Sequence, residues 1–126
     1  TTTPAPATTT PATTTPAIAA AIAVTVAALA RERNSPVFRR TFAVLRERGD
    51  QDGGGYFFYY LYYAAQAFFH GDSGAWREWN ARNVARLLDT QSPDGSWTGP
   101  HGRAFSTCAA LLSLALNYRY LPIYER

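Results

Sequence analysis

Two segments of this chain, 56–69 and 105–118, are apolar or aromatic almost all the way round, and each follows a segment with one polar side. A helix without a polar side must be covered over most of its circumference. Residues 37–48 place Phe38, Phe42 and Leu45 on one helical face, with Arg39, Arg40, Arg46, Glu47 and Arg48 mostly elsewhere. Residues 75–89 repeat the pattern: Trp76, Val84, Leu87 and Leu88 form a stripe, and Glu78 and Arg82 make an i,i+4 pair on the wet side. The alternation predicts two layers, with amphipathic helices outside and apolar helices inside. Equivalent helices start about 40 to 50 residues apart, a period typical of helical-hairpin arrays.

Tyr and Phe favour strands, so 56–69 needs a decision. Its length of about 14 residues and the stretch Ala64-Ala65-Gln66-Ala67 point to helix. The punctuation agrees. Ser35 is placed to cap a helix with Pro36 at its first position, and Gly49 is placed to stop it. Gln51-Asp52-Gly53-Gly54-Gly55 reads as a flexible turn and His70-Gly71-Asp72-Ser73-Gly74 as the next. In that second turn Asp72 or Ser73 can cap the helix from about Ala75. Ser106 or Thr107 sits near the cap of the last helix, and Pro122 ends the ordered part.

The opening residues, 1–16, are Thr, Ala and Pro, with Pro at positions 4, 6, 11 and 16. They cannot contribute to a core and suit a disordered or extended stalk or linker, able to carry O-glycans on Thr1–Thr15. Ala17–Ala30 is an apolar run of about 14 residues ended by Arg31-Glu32-Arg33. A membrane span needs about 20, so a buried inner helix is preferred to an anchor. The chain therefore divides into a stalk (1–16), an Ala-rich helix and turn (17–36) and two α-hairpin repeats (37–126).

Charge narrows the function classes. The net charge is +3, every basic residue is Arg, and Arg is interleaved with Glu and Asp. A nucleic-acid protein would concentrate basic charge on one face, so a solvated helix surface is expected and no nucleic-acid partner. Cys108 is the single cysteine, which excludes an intrachain disulfide. It reads as a small buried hydrophobe on an apolar helix. The chain starts at Thr1 and contains no Met, which reads as a processed product or a fragment.

Between the helices expected at 75–89 and 105–118 lies Gln91-Ser92-Pro93-Asp94-Gly95-Ser96-Trp97. Asp-Gly supplies the positive φ of a tight turn and Pro93 presets the backbone before it. Trp97 then lays a large flat ring on whatever the turn crosses. This stretch resembles the Gln…Asp-Gly-x-Trp motif of the squalene-cyclase and protein-prenyltransferase repeat superfamily. The region from about Tyr56 to Tyr124 is similar to the C-terminal repeats of the bacterial members. The residues that carry the likeness are Tyr62–Ala67, Phe69-His70-Gly71, Trp76–Asn80, Asp94–Trp97 and Tyr118–Pro122. The resemblance implies an all-α fold of helical hairpins in an α/α toroid, here incomplete, with Gln91, Asp94, Gly95 and Trp97 as a repeat-packing turn.

It implies little chemistry. The cyclase DxDD box is missing. Where prenyltransferases open an inner helix with Asp-x-Cys to hold Zn²⁺, this chain has Ser106-Thr107-Cys108. Cys108 and His101 are the weak metal candidates, short of the three protein ligands a catalytic zinc needs. His70 and His101 both fall in Gly-containing turns, where His is commonly exposed and inert. No catalytic residue and no cofactor is expected. Tyr56, Tyr59, Tyr60, Tyr63 and Phe105 are the candidate surface for an apolar ligand or partner.

The expected function is a non-catalytic structural or interaction module of a larger, exported assembly, because lone repeats leave their apolar faces open. Its partners would be other subunits or further copies of itself. One alternative is an isoprenoid-binding or isoprenoid-transforming enzyme fragment, and another a membrane-complex subunit anchored through 17–30.

Overall fold

A computed structural model describes residues 2–3, 16–48 and 56–118. Most of the Thr/Pro-rich opening, Gly49, the Gln51–Gly55 turn and the tail from Arg119, with its Pro122, lie outside the described residues. The described part is all-α. Its helices are α1 (Pro16–Leu29), α2 (Pro36–Arg48), α3 (Phe57–Gly71), α4 (Ser73–Thr90) and α5 (Arg103–Ala115).

Each start and stop has a local cause. At the head of α2 the Ser35 Oγ accepts from the Phe38 N–H at 3.1 Å, the side-chain cap expected of that Ser-Pro pair. The junction of α3 and α4 is tighter than the Gly-rich sequence around it suggests. Asp72 alone is non-helical, at φ −149° and ψ 130°. Its N–H donates to the Phe68 carbonyl at 3.3 Å, while its Oδ2 accepts from the Ala75 N–H at 2.7 Å and caps α4. One residue thus ends one helix and starts the next. As a result His70 is not an exposed turn residue but a buried one in the last turn of α3. The last helix also starts differently from expectation. Gly102, at φ 93°, is its N-cap, and Ser106 and Thr107 lie inside the helix, Ser106 fully buried and Thr107 bonded to the Trp97 backbone.

Helix α3 is the centre of the packing. It lies against α1, α4 and α5, and α1 also packs on α2. The row α1–α3–α5 thus carries α2 against one member and α4 against another. Aromatic contacts join the rows: Phe68 of α3 meets the Phe42 ring of α2 edge-on at 5.7 Å and stacks on Trp79 of α4 at 5.5 Å. The approach is close enough that a Cβ on Gly71 would sit 2.7 Å from the Phe42 ring. Helices α4 and α5 meet through Asn83 Nδ2, which donates to Ser113 Oγ at 3.2 Å, and just beyond the end of α5 Asn117 exchanges reciprocal side-chain hydrogen bonds with Asn80 of α4.

Two expectations about faces change. The buried stripe of α4 runs through Ala75, Trp76, Trp79, Asn83 and Leu87, whereas Leu88 is 68% exposed. Trp79 and Asn83 follow Trp76 at helical spacing; Leu88 lies about 100° round from Leu87 and faces away. Helix α1 buries Ala17, Ile18, Ala20, Ala21, Val24 and Ala28 but leaves Ile22, Val26 and Leu29 exposed. At 14 residues it rises about 21 Å, short of the roughly 30 Å hydrocarbon core of a bilayer. Among the described residues no helix is long and apolar enough to cross a membrane.

Candidate functional site

The turn after α4 is held almost entirely by its own polar groups. Gly95 sits at φ 86°, the left-handed region its missing side chain permits. The Gly95 N–H donates to the Ser92 carbonyl at 2.9 Å and the Ser92 N–H to the Ser96 carbonyl at 2.8 Å. Gln91 Nε2 donates to the Gly95 carbonyl at 2.8 Å, closing the loop from the helix side. The Asp94 carboxylate accepts from both the hydroxyl (2.6 Å) and the N–H (3.0 Å) of Ser96. Its other oxygen meets Arg103 at 3.0 Å. The Ser96 hydroxyl first, then its N–H, hold the Asp94 carboxyl below its ordinary value, with the Arg103 guanidinium adding to the effect.

Trp97 carries the turn into the core. It is 3% exposed, and its Nε1 donates to the Leu87 carbonyl at 2.9 Å. The Trp97 N–H and carbonyl both bond Thr107 Oγ1 on α5, at 3.1 and 3.3 Å. The segment therefore ties the end of α4 to the first turns of α5. Gly99 completes the passage: a Cβ there would lie 2.7 Å from Ser106 Oγ and 2.9 Å from the Phe58 ring. Gln91, Asp94, Gly95 and Trp97 all act on backbone geometry, and none is aimed at a substrate-sized space.

Space of substrate size lies elsewhere. A groove of about 260 Å³ runs between α3 and α5, lined by Tyr59, Tyr62, Tyr63, Phe105, Cys108, Ala109 and Leu112. Its mouth is an aromatic group. Tyr59 contacts Phe105 at 4.7 Å and His101 at 5.3 Å, while Tyr56 touches Tyr59 at 6.4 Å and His101 at 5.6 Å. These rings lean on one another as tilted or edge-on pairs, arrangements favoured by the ring quadrupoles. Nothing charged lines the groove.

Most of the sequence-predicted surface is found here. Tyr59, Tyr63 and Phe105 line the groove and Tyr56 flanks it, but Tyr60 does not. It is buried at 4% exposure in a small cavity of about 40 Å³ beside Trp79, Asn83 and Arg86. Tyr62, two positions on, takes the groove place: 59, 62 and 63 share one helical face and 60 lies about 100° away from 59. That spacing was legible; with aromatic residues on every side, the open side was not.

Cys108 likewise reverses expectation, being exposed in the groove wall rather than buried. The groove leaves that side of α5 uncovered. His101 contacts rings, and among the described residues no group of three His, Cys, Asp or Glu side chains could hold a metal ion. Cys108 and His101 therefore form no ligand set with a carboxylate there.

Other cavities among the described residues are less suited to an apolar ligand. A polar one of about 260 Å³ lies at the α3–α4 junction among Arg33, His70, Asp72 and Ser73, and one of about 200 Å³ holds Arg46, Glu78 and Arg82 over Phe68. Each is lined by both a carboxylate and a guanidinium. The small cavity beside Tyr60 has Arg86 at its edge, with the guanidinium 4.0 Å from the centre of the Phe57 ring. Compared with protein families, with curated proteins and with solved structures, the chain finds no match.

Proposed function

We propose that this chain is a non-catalytic interaction module, built from squalene-cyclase-like helical repeats arranged as part of an α/α toroid, that docks a protein partner along the α3–α5 groove. The observation that carries the reading is the groove itself: an uncharged, aromatic-walled channel with Tyr59 and Tyr62 over a third exposed and Leu111 beside it half exposed. Contiguous exposed apolar surface of this kind marks interaction sites in soluble proteins. The turn from Gln91 to Trp97 serves the same purpose at one remove, since it fixes how α5 lies beside α3 and so how wide the groove stands. The exported, stalk-borne setting rests on the composition of residues 1–16 alone.

Cys108 gives a direct test, because it is the single thiol and it lines the groove. Maleimide labelling of the native particle should be slow and become fast after mild denaturation, and the native mass should exceed the 13.9 kDa of one chain. Fast labelling of a native 13.9 kDa monomer refutes the reading. For the stalk, intact mass before and after enzymatic deglycosylation decides the O-glycan expectation.

A second reading is favoured by the aromatic walls: an isoprenoid or other apolar chain in the same groove. Mass spectrometry of an organic extract of the native particle tests it. A lipid present in stoichiometric amount supports this reading, and a lipid-free extract removes it.

A further inference from the structure

The charges of this chain are sorted by layer. Helices α1 and α3 contain no Asp, Glu, Lys or Arg, and α5 contains only Arg103, which is paired with Asp94. The positive surplus sits on α2 and α4, where Arg39, Arg40, Arg46, Arg77, Arg82 and Arg86 are all exposed against Glu47, Glu78 and Asp89. Two copies therefore repel when they approach through α2 or α4. Through α3 and α5 they meet with no net like charge opposed.

The same face is shaped to pair with itself. On α5, Ala104, Cys108, Leu111 and Leu112 are exposed at helical spacing and form a narrow ridge of small and aliphatic side chains. The groove runs beside this ridge, with its far wall made by Tyr59, Tyr62 and Tyr63 of α3. A ridge lying next to a groove of similar character is self-complementary under a two-fold rotation, as helix ridges seat in the grooves of a neighbour. We infer that the occupant of the groove is a second copy of this chain, the α5 ridge of each copy lying against the tyrosine wall of the other. This inference rests on the interaction reading above and names its partner.

The arrangement places the two Cys108 thiols within one shared interface, so the native thiol reports on it. The full chain is measured by analytical ultracentrifugation over a concentration series, then exposed to a short bis-maleimide and run under denaturing conditions. A concentration-dependent dimer that is cross-linked through Cys108 is expected. Leu112→Arg, at a position 37% exposed, should raise the dimer dissociation constant about 30-fold or more, the scale of an interface hot spot. Tyr62→Arg, on the opposite wall, should do the same. Leu88→Arg, on the other layer, should leave the constant unchanged. Circular dichroism of each variant confirms that it is folded.

A chain that stays monomeric with Cys108 open throughout the series overturns the inference, as does a dimer indifferent to both Leu112→Arg and Tyr62→Arg. If the native particle shields Cys108 with a different protein, the second copy is excluded while the interaction reading stands. If Cys108 is open in the native particle too, both fall. A lipid as the sole occupant excludes the second copy and favours the apolar-ligand reading.

Discussion

Trp97→Phe and Trp97→Ala separate what the buried indole does as a donor from what it does as a volume. The Trp97 Nε1–H reaches the Leu87 carbonyl at 2.9 Å in a buried setting. Leu87 is among the last four residues of α4, whose carbonyls have no acceptor role inside the helix. Phenylalanine keeps most of the ring but removes the donor. An orphaned buried carbonyl costs about 1–3 kcal/mol, and the smaller ring adds about 1 kcal/mol in lost packing. Alanine removes the ring as well, and truncation of a buried aromatic costs about 3–5 kcal/mol before the carbonyl is counted. Small domains are stable by about 5–15 kcal/mol, so Trp97→Ala should bring the fold close to its limit. Trp97→Phe should lower Tm by about 10 °C or more, at roughly 4–8 °C per kcal/mol for a domain of this size. Urea and thermal unfolding followed by far-ultraviolet circular dichroism measure both, at one fixed protein concentration because association shifts apparent stability. A Trp97→Phe cost below about 0.5 kcal/mol, the range of an ordinary surface change, refutes the capping role.

Gly95→Ala forces an L side chain to φ 86° with no clash to relieve, since its nearest neighbour atom lies 3.8 Å away; a loss of about 1–2 kcal/mol by urea unfolding is expected. Asp72→Ala removes the cap of α4 and should cost about 1 kcal/mol, recovered largely by Asp72→Asn. The Asp94 carboxyl is held below its ordinary value of 3.8 in the fold, so its contribution is complete above that pH and is lost as pH falls through the folded value. Tm measured across the acid range should therefore drop less steeply in Asp94→Asn than in the parent chain. An unchanged slope would remove Asp94 from the acid response.

The helices were readable because their signals are local. Ser35-Pro36 caps and starts α2 within three residues, and Gln91, Asp94 and Gly95 close their turn within a few positions of one another. The candidate surface was partly readable for the same reason: a run of aromatic residues guarantees that some ring will face outward. Which ring does so depends on what covers the others, and that is why Tyr60 and Tyr62 exchange places.

The amino-acid sequence by itself determined that this chain is helical, where most helices begin, that α1, α3 and α5 carry almost no charge, and that a Trp must be buried after the Asp-Gly turn. These follow from propensity, capping and the hydrophobic effect, each acting over a few residues. Only the tertiary structure decided that Asp72 alone separates α3 from α4, that His70 is enclosed, that Cys108 stands open, and that α3 and α5 leave a groove between them. The Asp72 junction closes on its near neighbours Phe68 and Ala75; the other three arise from contacts between residues far apart in the chain, where the way one helix packs on another selects the side that is left uncovered. Sequence periodicity marks a helix as apolar all round; packing alone leaves one side of it to a partner.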